Sequence, residues 1–386
     1  MGNSRILIHH HAVAFVENER IWIQSFIGVW VQELSHHFDE IGLLLQVSSS
    51  KRKEQDYAII SQNVKVHNLN PSYQLHLVSR NRYIRQICKT VSPLYDILLI
   101  RGITPRQKLV FDNCAIGHKC FLLVGSLIDS KPVIHLNKVS LITWLLSRLR
   151  WKELHTISKS AHMFANSPAI VQEISDILRV QAGFMPTNTI SKRDFKPFVI
   201  KTIEKSAKLL FCGRVVKEKG IEELIDAVRE LRDIDIQVSL EVIGSIMEDY
   251  KIYISNKIAK LNLGSQIRVH GFIPFGEDLL EFFRDSDIYV LPSWHEGFPH
   301  SIWEAAATCT PVIITPVGGI PGIVNRDHVL FCNVRNSEVL AETILECLTN
   351  TTATKNRIKS LYQLALNYTI EDCAETTFSL LTGKCN

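Results

Sequence analysis

From residue 207 onward, short apolar runs alternate with amphipathic helical segments, and this alternation restricts the fold more than any other feature of the sequence. The predicted strands 209–212, 239–243 and 287–291 have four or five mostly apolar residues each. The first helical segment carries its apolar residues at helix spacing, at Ile221, Leu224, Ile225, Val228 and Leu231. Because this alternation is typical of a parallel sheet covered on both faces, it predicts a doubly wound α/β domain of about 160 residues.

The first half of the chain shows the same alternation less regularly. Its predicted strands are the apolar runs 5–9, 41–47, 96–100, 121–124, 133–136 and 162–165, and residues 25–38 have the spacing of a helix. A polar stretch follows, which we interpret as a linker over residues 187–206. The sequence therefore predicts an α/β domain over 1–186, a second over 207–352, and a ligand-binding cleft between them.

Length and composition exclude several classes of protein. The 386 residues are enough for two or three domains, and 46% hydrophobic with 21% charged residues is ordinary for a globular chain. The apolar runs are too short to span a bilayer, and the first residues lack the apolar block of a secretory signal. The nine cysteines form no CxxC pair. We expect reduced thiols and a cytoplasmic location, with peripheral attachment to the inner membrane as an option.

Charge is distributed unevenly along the chain. Residues 1–190 hold 21 Lys and Arg against 13 Asp and Glu, whereas residues 191–386 hold 22 against 26. Within the first half, basic residues lie beside apolar and aromatic ones in two segments, 80–89 and 138–152. Such segments are typical either of helices on an anionic membrane surface or of ordinary amphipathic helices with a solvated basic face. No zinc-finger, RNP or helix-turn-helix pattern is present, so we expect no nucleic-acid partner.

Two glutamates flank a predicted strand-to-helix connection. Glu296 precedes residues 297–299 (Gly-Phe-Pro), which cannot lie in the middle of a helix, and Glu304 follows one or two turns into the next helix. The spacing alone carries little weight, since Glu338 and Glu346 repeat it within a predicted helix. The context places two carboxylates at the mouth of the predicted cleft, beside a helix amino terminus.

Two further loops could contact phosphate. Gly213 ends a predicted strand, and Arg214 and Lys219 follow on the loop before the next helix, where two cations would suit a diphosphate. The glycine-rich residues 317–322 could bring backbone amides to phosphate oxygens or simply form a tight turn. Neither loop is a P-loop or a dinucleotide fingerprint.

Metal binding finds little support in the sequence. Three consecutive histidines, residues 9–11, lie at a predicted strand end, where side chains alternate between faces, so only two could share a ligand. Residues 285–287 read Asp-Ser-Asp but precede a buried strand. We therefore expect no metal site.

Taken together, these loops resemble the carboxyl-terminal half of family-4 retaining glycosyltransferases (glycosyl transferases group 1) across about residues 205–345. The matching segments are Gly213-Arg214, Lys219-Gly220, Val242-Ile243-Gly244, His270-Gly271-Phe272, Leu291-Pro292-Ser293, Glu296-Gly297-Phe298-Pro299, Glu304-Ala305 and Gly318-Gly319-Ile320-Pro321. The resemblance implies the GT-B fold, in which two Rossmann-like domains face a cleft. It also implies that helices within residues 353–386 cross back to the first domain.

The same resemblance implies roles for individual residues. Arg214 and Lys219 would hold the donor diphosphate, Glu296 the donor sugar and Glu304 the nucleotide ribose. The other residues that it places at the donor are Gly213, Gly271, Phe272, Ile273, Gly297, Phe298 and Pro299. In such enzymes protein cations take the place of a metal, so we expect no cofactor and a UDP- or GDP-linked sugar as donor.

In the first domain the resemblance is looser. Such enzymes often have two glycines after the first strand, and the nearest small residue here is Gly28, which we expect to contact phosphate. A histidine often ends a middle strand and lines the active site. One alignment supplies His135, and a competing one places Gly125 or Ser126 there.

The resulting hypothesis is a metal-independent, retaining transfer of a sugar to an acceptor. The basic first half favours a lipid-linked saccharide in cell-surface polysaccharide synthesis, such as lipopolysaccharide or O-antigen. The alternatives are a related enzyme that acts on a soluble sugar, and a catalytically silent accessory subunit that keeps the fold.

Overall fold

The computed structural model describes residues 4–70, 77–128, 141–199 and 206–384. Contacts along the backbone divide the chain into two compact units. The first comprises Met1–Thr189 together with Ile370–Asn386, and the second comprises Ile190–Thr369. Each unit is built around its own β-sheet.

The part of the first unit that precedes the second unit in the chain has nine strands and five helices among the described residues. The strands are β1 (Arg5–Glu17), β2 (Arg20–Ile23), β3 (Glu40–Val47), β4 (Tyr57–Ile59), β5 (Val64–Asn68), β6 (Ile97–Arg101), β7 (His118–Leu123), β8 (His162–Ala165) and β9 (Ala182–Phe184). The helices are α1 (Ser25–Leu34), α2 (Leu77–Val91), α3 (Gln107–Asn113), α4 (Leu141–Ser158) and α5 (Pro168–Leu178). The predicted strand 133–136 lies outside the described residues.

The sheet of the first unit is mostly parallel. The parallel strands follow the order β5-β3-β1-β6-β7-β8-β9. β1 runs past its predicted end and turns at Asn18 and Glu19, both with left-handed backbone, into antiparallel β2, which pairs with β4. Two consecutive left-handed residues suit the tight turn of a hairpin, and this explains the antiparallel extension that periodicity did not predict.

The core of the first unit lies on both faces of this sheet. Side chains of β1 alternate between the faces, since Ile6 and Ile8 join one buried cluster and Leu7 joins the other. Trp30 of α1 fills the first cluster. A strand buried on both faces must be apolar at every position, which is why the sequence shows continuous apolar runs here.

The second unit is a six-stranded parallel sheet with helices on both faces. Its strands are β10 (Ser206–Cys212), β11 (Gln237–Ile243), β12 (Ile267–Gly271), β13 (Ile288–Leu291), β14 (Val312–Ile314) and β15 (Leu330–Phe331). Its helices are α6 (Ile221–Asp233), α7 (Glu248–Lys260), α8 (Glu277–Asp285), α9 (Ser301–Ala307), α10 (Ser337–Thr349) and α11 (Thr351–Ala365). The order β12-β11-β10-β13-β14-β15 confirms the predicted doubly wound topology.

The chain then returns to the first unit through a last helix, α12 (Ile370–Thr382). Ile370, Ala374 and Phe378 of α12 join the buried cluster that contains Trp30. α11 differs from our expectation for residues 353–386, because Leu361 and Ala365 pack into the core of the second unit. Helical spacing could not show which sheet each of these two helices covers.

Two further features of the described residues concern the cysteines and the apolar character of the helices. The eight cysteines within the described residues are free thiols, and all except Cys212 are buried. None of the helices in the described part of the chain has both the length and the apolar character needed to span a membrane.

Candidate functional site

Three glycines bring the ends of neighbouring strands together at the carboxyl edge of the second sheet. Gly213 follows β10, Gly244 follows β11 and Gly271 ends β12. The amide of Gly213 donates to the carbonyl of Ile243 at 3.0 Å, and the amide of Gly244 donates to that of Gly271 at 2.8 Å. A Cβ on Gly244 would lie 1.7 Å from the Gly213 carbonyl oxygen, so only glycine fits this contact. The backbone at these three strand ends therefore carries no side chain that would cover it, and a ligand at this edge of the sheet can approach it closely.

Arg214 lies on the loop after β10 and is available to a ligand. Its side chain is exposed and makes no hydrogen bond or ion pair with any residue that the structure describes. The loop itself is fixed, because the Val215 amide donates to the Ser245 carbonyl at 2.9 Å. The loop closes through a turn of 3-10 helix, Lys217–Lys219, and Gly220 at φ +71°. A rigid loop therefore presents a solvated cation at the sheet edge.

Lys219 and Glu296 form a largely enclosed ion pair. The Lys219 ammonium donates to Oε1 of Glu296, and the side chains are 15% and 7% exposed. The Ser293 hydroxyl donates to the same oxygen at 2.7 Å. The other oxygen, Oε2, accepts no hydrogen bond from the described residues. Two donors thus orient the carboxylate and leave one oxygen for a ligand.

The loop that carries Glu296 is braced against the loop that carries Lys219. The Trp294 amide donates to the Glu218 carbonyl at 2.8 Å, and its indole Nε1 donates to Glu223 at 3.0 Å. The guanidinium of Arg335 lies 4.0 Å above the Trp294 ring. Sequence reasoning missed Trp294, Glu223 and Arg335 as supports, because their contacts join residues far apart in the chain. It also missed the contact of Ser293 with Glu296, because the spacing of three residues in a loop does not show that the two side chains meet.

The glycine-rich segment 317–322 packs against the backbone of Glu296. Gly318 has a φ of +56°, and a Cβ there would lie 1.7 Å from the Glu296 carbonyl oxygen. The amide of Gly319 donates to the Gly297 carbonyl at 2.8 Å. Of the two interpretations left open by the sequence, this geometry favours a tight turn, whose function is to support the loop of Glu296.

Glu304 lies in the first turn of α9 with its carboxyl buried. No described group donates a hydrogen bond to that carboxyl, and burial raises its pKa from 4.5 to about 7. The Cys212 thiol is close enough that the Glu304 charge, after burial itself, contributes to raising the pKa of that thiol. A buried carboxyl without internal donors is suited to accept hydrogen bonds from a ligand.

Of the other residues predicted to bind the donor substrate, some are packed in the interior and others are exposed. Phe298 is buried, with its ring centroid 5.0 Å from that of Trp303, and Ile273 packs against the core. Phe272 is 39% exposed, and Gly271 has open space around its Cα. Gly297 contributes its carbonyl to the contact with Gly319, and Pro299 lies two residues before the start of α9 and is half-buried. The structure thus brings Arg214, Lys219, Glu296 and Glu304 to one sheet edge.

The expected phosphate contact at Gly28 is not supported. Gly28 lies within α1, where a Cβ would meet Tyr57 at 2.6 Å and Ile23 at 2.9 Å. The glycine is buried and permits close packing of α1 against the antiparallel pair of β2 and β4. Periodicity did not predict this strand pair, and so the packing reason for the glycine was missed.

The histidine position in the first unit stays a prediction. His135 lies outside the described residues. Of the alternative residues, Gly125 has no neighbouring atom within 4 Å of an added Cβ, and the Ser126 hydroxyl donates to both oxygens of Glu173 at 3.0–3.1 Å.

Comparison with known proteins places the second unit in a family. Residues 192–363 match the family described as glycosyl transferases group 1. A putative teichuronic acid biosynthesis glycosyltransferase, TuaC of Bacillus subtilis, is 30% identical over 136 residues, 35% of this chain and 31% of TuaC. N,N'-diacetylbacillosaminyl-diphospho-undecaprenol alpha-1,3-N-acetylgalactosaminyltransferase of Campylobacter jejuni is 28% identical, over 43% of this chain and 42% of that protein. Mannosylfructose-phosphate synthase of Agrobacterium fabrum is 30% identical, over 36% and 32%. The chain thus matches less than half the length of each relative.

Solved structures match the whole chain. Sucrose-phosphate synthase from Thermosynechococcus elongatus has a TM-score of 0.77 at 15% identity and covers 98% of both chains. HepE of Anabaena, solved in complex with UDP and glucose, has a TM-score of 0.72 at 15% identity and covers 99% of this chain and all of HepE. At such identity the likeness shows the fold alone. Residues 192–363 accordingly belong to the glycosyl transferases group 1 family, and the chain has the GT-B fold that its motifs implied.

Proposed function

We propose that the chain is a retaining glycosyltransferase that moves a sugar from a nucleotide diphosphate sugar to an acceptor. The observation that carries the proposal is the grouping of two cations and an oriented carboxylate at one sheet edge. Arg214 is exposed and unpaired among the described residues, while Lys219 is held against Glu296. In open α/β sheets this edge is where ligands bind.

The two cations would act on the leaving group. Negative charge grows on the diphosphate as its bond to the anomeric carbon breaks, and positive charge fixed in advance stabilises that change at little reorganisation cost. Arg214 can form two parallel hydrogen bonds to phosphate oxygens, and Lys219 adds a second positive charge. With this charge supplied by side chains, we propose that transfer proceeds without a metal ion.

Glu296 would position the donor sugar. Its Oε1 is occupied by Lys219 and Ser293, and its Oε2 can accept hydrogen bonds from sugar hydroxyls. A carboxylate held in this way is poorly placed to swing toward the anomeric carbon as a nucleophile. Transfer with retention, which the family resemblance implies, then needs no protein nucleophile. We propose that the acceptor oxygen attacks the anomeric carbon on the face from which the diphosphate leaves, and that its proton passes to the departing diphosphate. Trapping a glycosyl adduct on the protein would contradict this mechanism.

Glu304 and the segment after β12 would bind the nucleoside. The Glu304 carboxyl lacks donors of its own and would accept hydrogen bonds from ribose hydroxyls. The backbone of Gly271, Phe272 and Ile273 lies at the open end of β12, where the base would rest. UDP and GDP are both consistent with these contacts.

For the acceptor we propose a lipid-linked saccharide at the cytoplasmic face of an anionic membrane, in cell-surface polysaccharide synthesis. Two relatives support this class, since their names refer to teichuronic acid and to a diphospho-undecaprenol acceptor. α4 supports it as well, because Leu146 and Leu149 are 49% and 48% exposed beside basic residues. The exposed basic residues of this part of α4 are Arg148, Arg150 and Lys152.

The other basic segment gives less support to membrane binding. On α2, Ile84 is fully buried, Ile87 packs against the core, and Arg82, Arg85 and Lys89 are exposed. This is an ordinary amphipathic helix with a solvated basic face. Lys138, which belongs to the other basic segment and precedes α4, lies outside the described residues.

The donor assignment is tested by titrating a panel of UDP- and GDP-sugars into the full chain by calorimetry and following their slow hydrolysis. Binding of one nucleotide series, weakened by Glu304→Ala, supports the proposal. Absence of binding to every member of the panel would favour the silent accessory subunit, although the presence of Arg214, Lys219, Glu296 and Glu304 argues against it.

A soluble acceptor is the second candidate function, favoured by the relative named mannosylfructose-phosphate synthase. Co-sedimentation with vesicles distinguishes the two candidates. Preference for anionic over neutral vesicles, lost in a Leu146→Ser/Leu149→Ser variant and kept in the Leu366→Ser control on the second unit, supports the membrane acceptor. Equal binding to both vesicles, with turnover of a soluble sugar acceptor, supports the alternative.

A further inference from the structure

The first unit contains a group of positively charged and proton-donating side chains that the proposed donor site does not use. We call it the basic cluster and define it as His10, His11, Arg80, Arg101 and Arg106. Its members come from β1, α2, the end of β6 and the residue before α3. Among the described residues no carboxylate forms an ion pair with any of them.

Arg101 is the member whose placement is hardest to explain by folding alone. It ends β6 and is 3% exposed. Its Nε has no hydrogen-bond partner, and the described residues offer none to the rest of the guanidinium. The guanidinium carbon lies 5.7 Å from the ring of Phe26 and 5.3 Å from that of Trp30. Burial without an anion lowers the pKa of Arg101 to about 10.

Contacts with aromatic rings offset only part of the cost of this burial. A desolvated cation–π contact stabilises a buried cation by less than the penalty for burying that ion without a counter-charge. An isolated buried arginine therefore lowers the stability of the fold. An anionic ligand beside Arg101 would remove that penalty when it binds.

His10 is held as a hydrogen-bond donor. It is buried, and its Nδ1 accepts a hydrogen bond from the Ala12 amide at 3.0 Å, so in the neutral ring the proton lies on Nε2. The ring centroid of His11 lies 4.1 Å from that of His10. The Phe26 ring lies 5.9 Å from the His10 ring and 5.7 Å from the guanidinium carbon of Arg101, so both groups contact the same aromatic side chain. After burial, the positive charge of Arg101 is the next cause that lowers the pKa of both histidine rings.

Arg106 extends the cluster to a cavity that His10 and His11 also line. It has left-handed backbone, with φ +67°, and its side chain has no hydrogen-bond partner among the described residues. Burial, and then the charge of Arg80, lower its pKa. His9, which lines the same cavity, is already satisfied, since its ring nitrogens contact the Leu44 carbonyl at 2.9 Å and the Thr104 hydroxyl at 3.0 Å.

We propose that the basic cluster binds a phosphate or diphosphate group on the acceptor. Arg106 and His10 line one cavity, the charge of Arg101 acts on His10, and the charge of Arg80 acts on Arg106. With no carboxylate paired to any of them among the described residues, this group matches a multiply charged oxyanion better than a neutral sugar. The inference rests on the proposed function, in which Arg214 and Lys219 hold the phosphates of the donor. It adds that the acceptor is itself a phosphate ester, of a lipid or of a soluble sugar.

Calorimetry on the full chain tests the inference with three probes: farnesyl diphosphate, glucose 6-phosphate and UDP. Farnesol serves as the uncharged comparison for farnesyl diphosphate. The variants are Arg106→Gln and Arg101→Met, and the matched control is Arg85→Gln, which removes an exposed arginine of α2 outside the cluster. Thermal unfolding of each variant is measured in parallel.

We expect at least one of the two phosphate esters to bind and farnesol not to bind. Arg106→Gln and Arg101→Met should weaken that binding tenfold or more, with Arg85→Gln within twofold of the unaltered chain and UDP affinity unchanged in all three. Arg101→Met should unfold at a higher temperature than the unaltered chain, because an apolar residue replaces an unpaired buried charge. Binding of farnesyl diphosphate alone identifies a lipid acceptor, and binding of glucose 6-phosphate alone identifies a soluble one.

Two results would overturn the inference while the proposed function stands. In one, UDP binds but neither ester does, or the esters bind equally well to Arg106→Gln and Arg101→Met. In the other, these two variants lose affinity for UDP instead, which would assign the cluster to the donor. The proposed function fails separately if neither UDP nor GDP binds, or if Arg214→Ala leaves the binding of that nucleotide unchanged.

Discussion

The ammonium of Lys219 donates a hydrogen bond to Oε1 of Glu296, and both side chains are largely enclosed. The two residues are 77 positions apart, on the loops that follow β10 and β13, which are neighbouring strands of the second sheet. The ion pair therefore links the two loops that carry the proposed contacts to diphosphate and sugar. Either residue without the other would be a poorly compensated charge.

Replacing Lys219 tests this link. We expect Lys219→Met to lower the free energy of unfolding by about 2 kcal/mol, less than for a fully buried pair because Lys219 keeps some exposure, and to abolish most turnover. Urea unfolding and a donor hydrolysis assay measure the two effects. Lys257→Met is the control. The Lys257 ammonium lies 2.7 Å from Oδ2 of Asp226, and this ion pair is not part of the proposed site. It should cost under about 1 kcal/mol and leave turnover intact. Equal turnover losses in both variants would contradict the assignment.

Arg214 should matter for turnover and little for stability. Because the side chain is exposed and has no described partner, Arg214→Ala removes no contact within the fold. If Arg214 neutralises the leaving diphosphate, turnover should fall on the order of a hundredfold. Steady-state kinetics with the donor found in the panel measures this. Arg268→Ala, which removes an arginine that is 75% exposed on β12, should stay within twofold. Unchanged turnover in Arg214→Ala would exclude the proposed role.

Glu304 should make stability depend on pH. Burial raises its pKa from 4.5 to about 7, so between these values the folded protein keeps a proton that the unfolded chain has released. The contribution of Glu304 to stability is therefore highest below pH 4.5 and falls as pH rises to about 7, by up to about 3 kcal/mol.

Glu304→Gln removes this titration. Urea unfolding at pH 5 and pH 8 should show a smaller decrease in stability for Glu304→Gln than for the unaltered chain. Glu338→Gln, at an exposed position on α10, should behave like the unaltered chain. Parallel pH profiles for all three proteins would show that the Glu304 carboxyl is not buried in a proton-retaining site.

The contact between Gly318 and the Glu296 carbonyl predicts an effect of a single methyl group. Gly318→Ala places a Cβ into that oxygen at a positive φ, so the loop that carries Glu296 must shift. We expect turnover to fall at least tenfold and unfolding free energy by about 2 kcal/mol. Gly264→Ala, where an added Cβ meets no atom within 4 Å, should change neither. Full activity in Gly318→Ala would show that the position of this loop does not govern catalysis.

Periodicity predicted most elements of the second unit, because its central strands are buried on both faces and its helices each have an apolar face. The helix predicted at 221–231 is observed as Ile221–Asp233, and the strand predicted at 239–243 as Gln237–Ile243. The motif resemblance supplied the family and fold, since the second unit matches glycosyl transferases group 1. The antiparallel extension made of the end of β1, β2 and β4 was missed because strands that pair beyond the end of a parallel sheet leave no periodic signal of their own.

The sequence alone determined which residues occur at the ends of strands, and hence which cations and carboxylates reach the carboxyl edge of the second sheet. It could not determine what those groups contact, because hydrogen bonding and burial depend on residues distant in the chain. Only the tertiary structure decided that Glu296 is paired with Lys219, that Glu304 is buried without a donor, and that Gly28 serves packing. It also decided that Arg101 lies inside the first unit with no anion among its described neighbours, since a strand's last residue looks the same in sequence whether it faces solvent or a buried cluster.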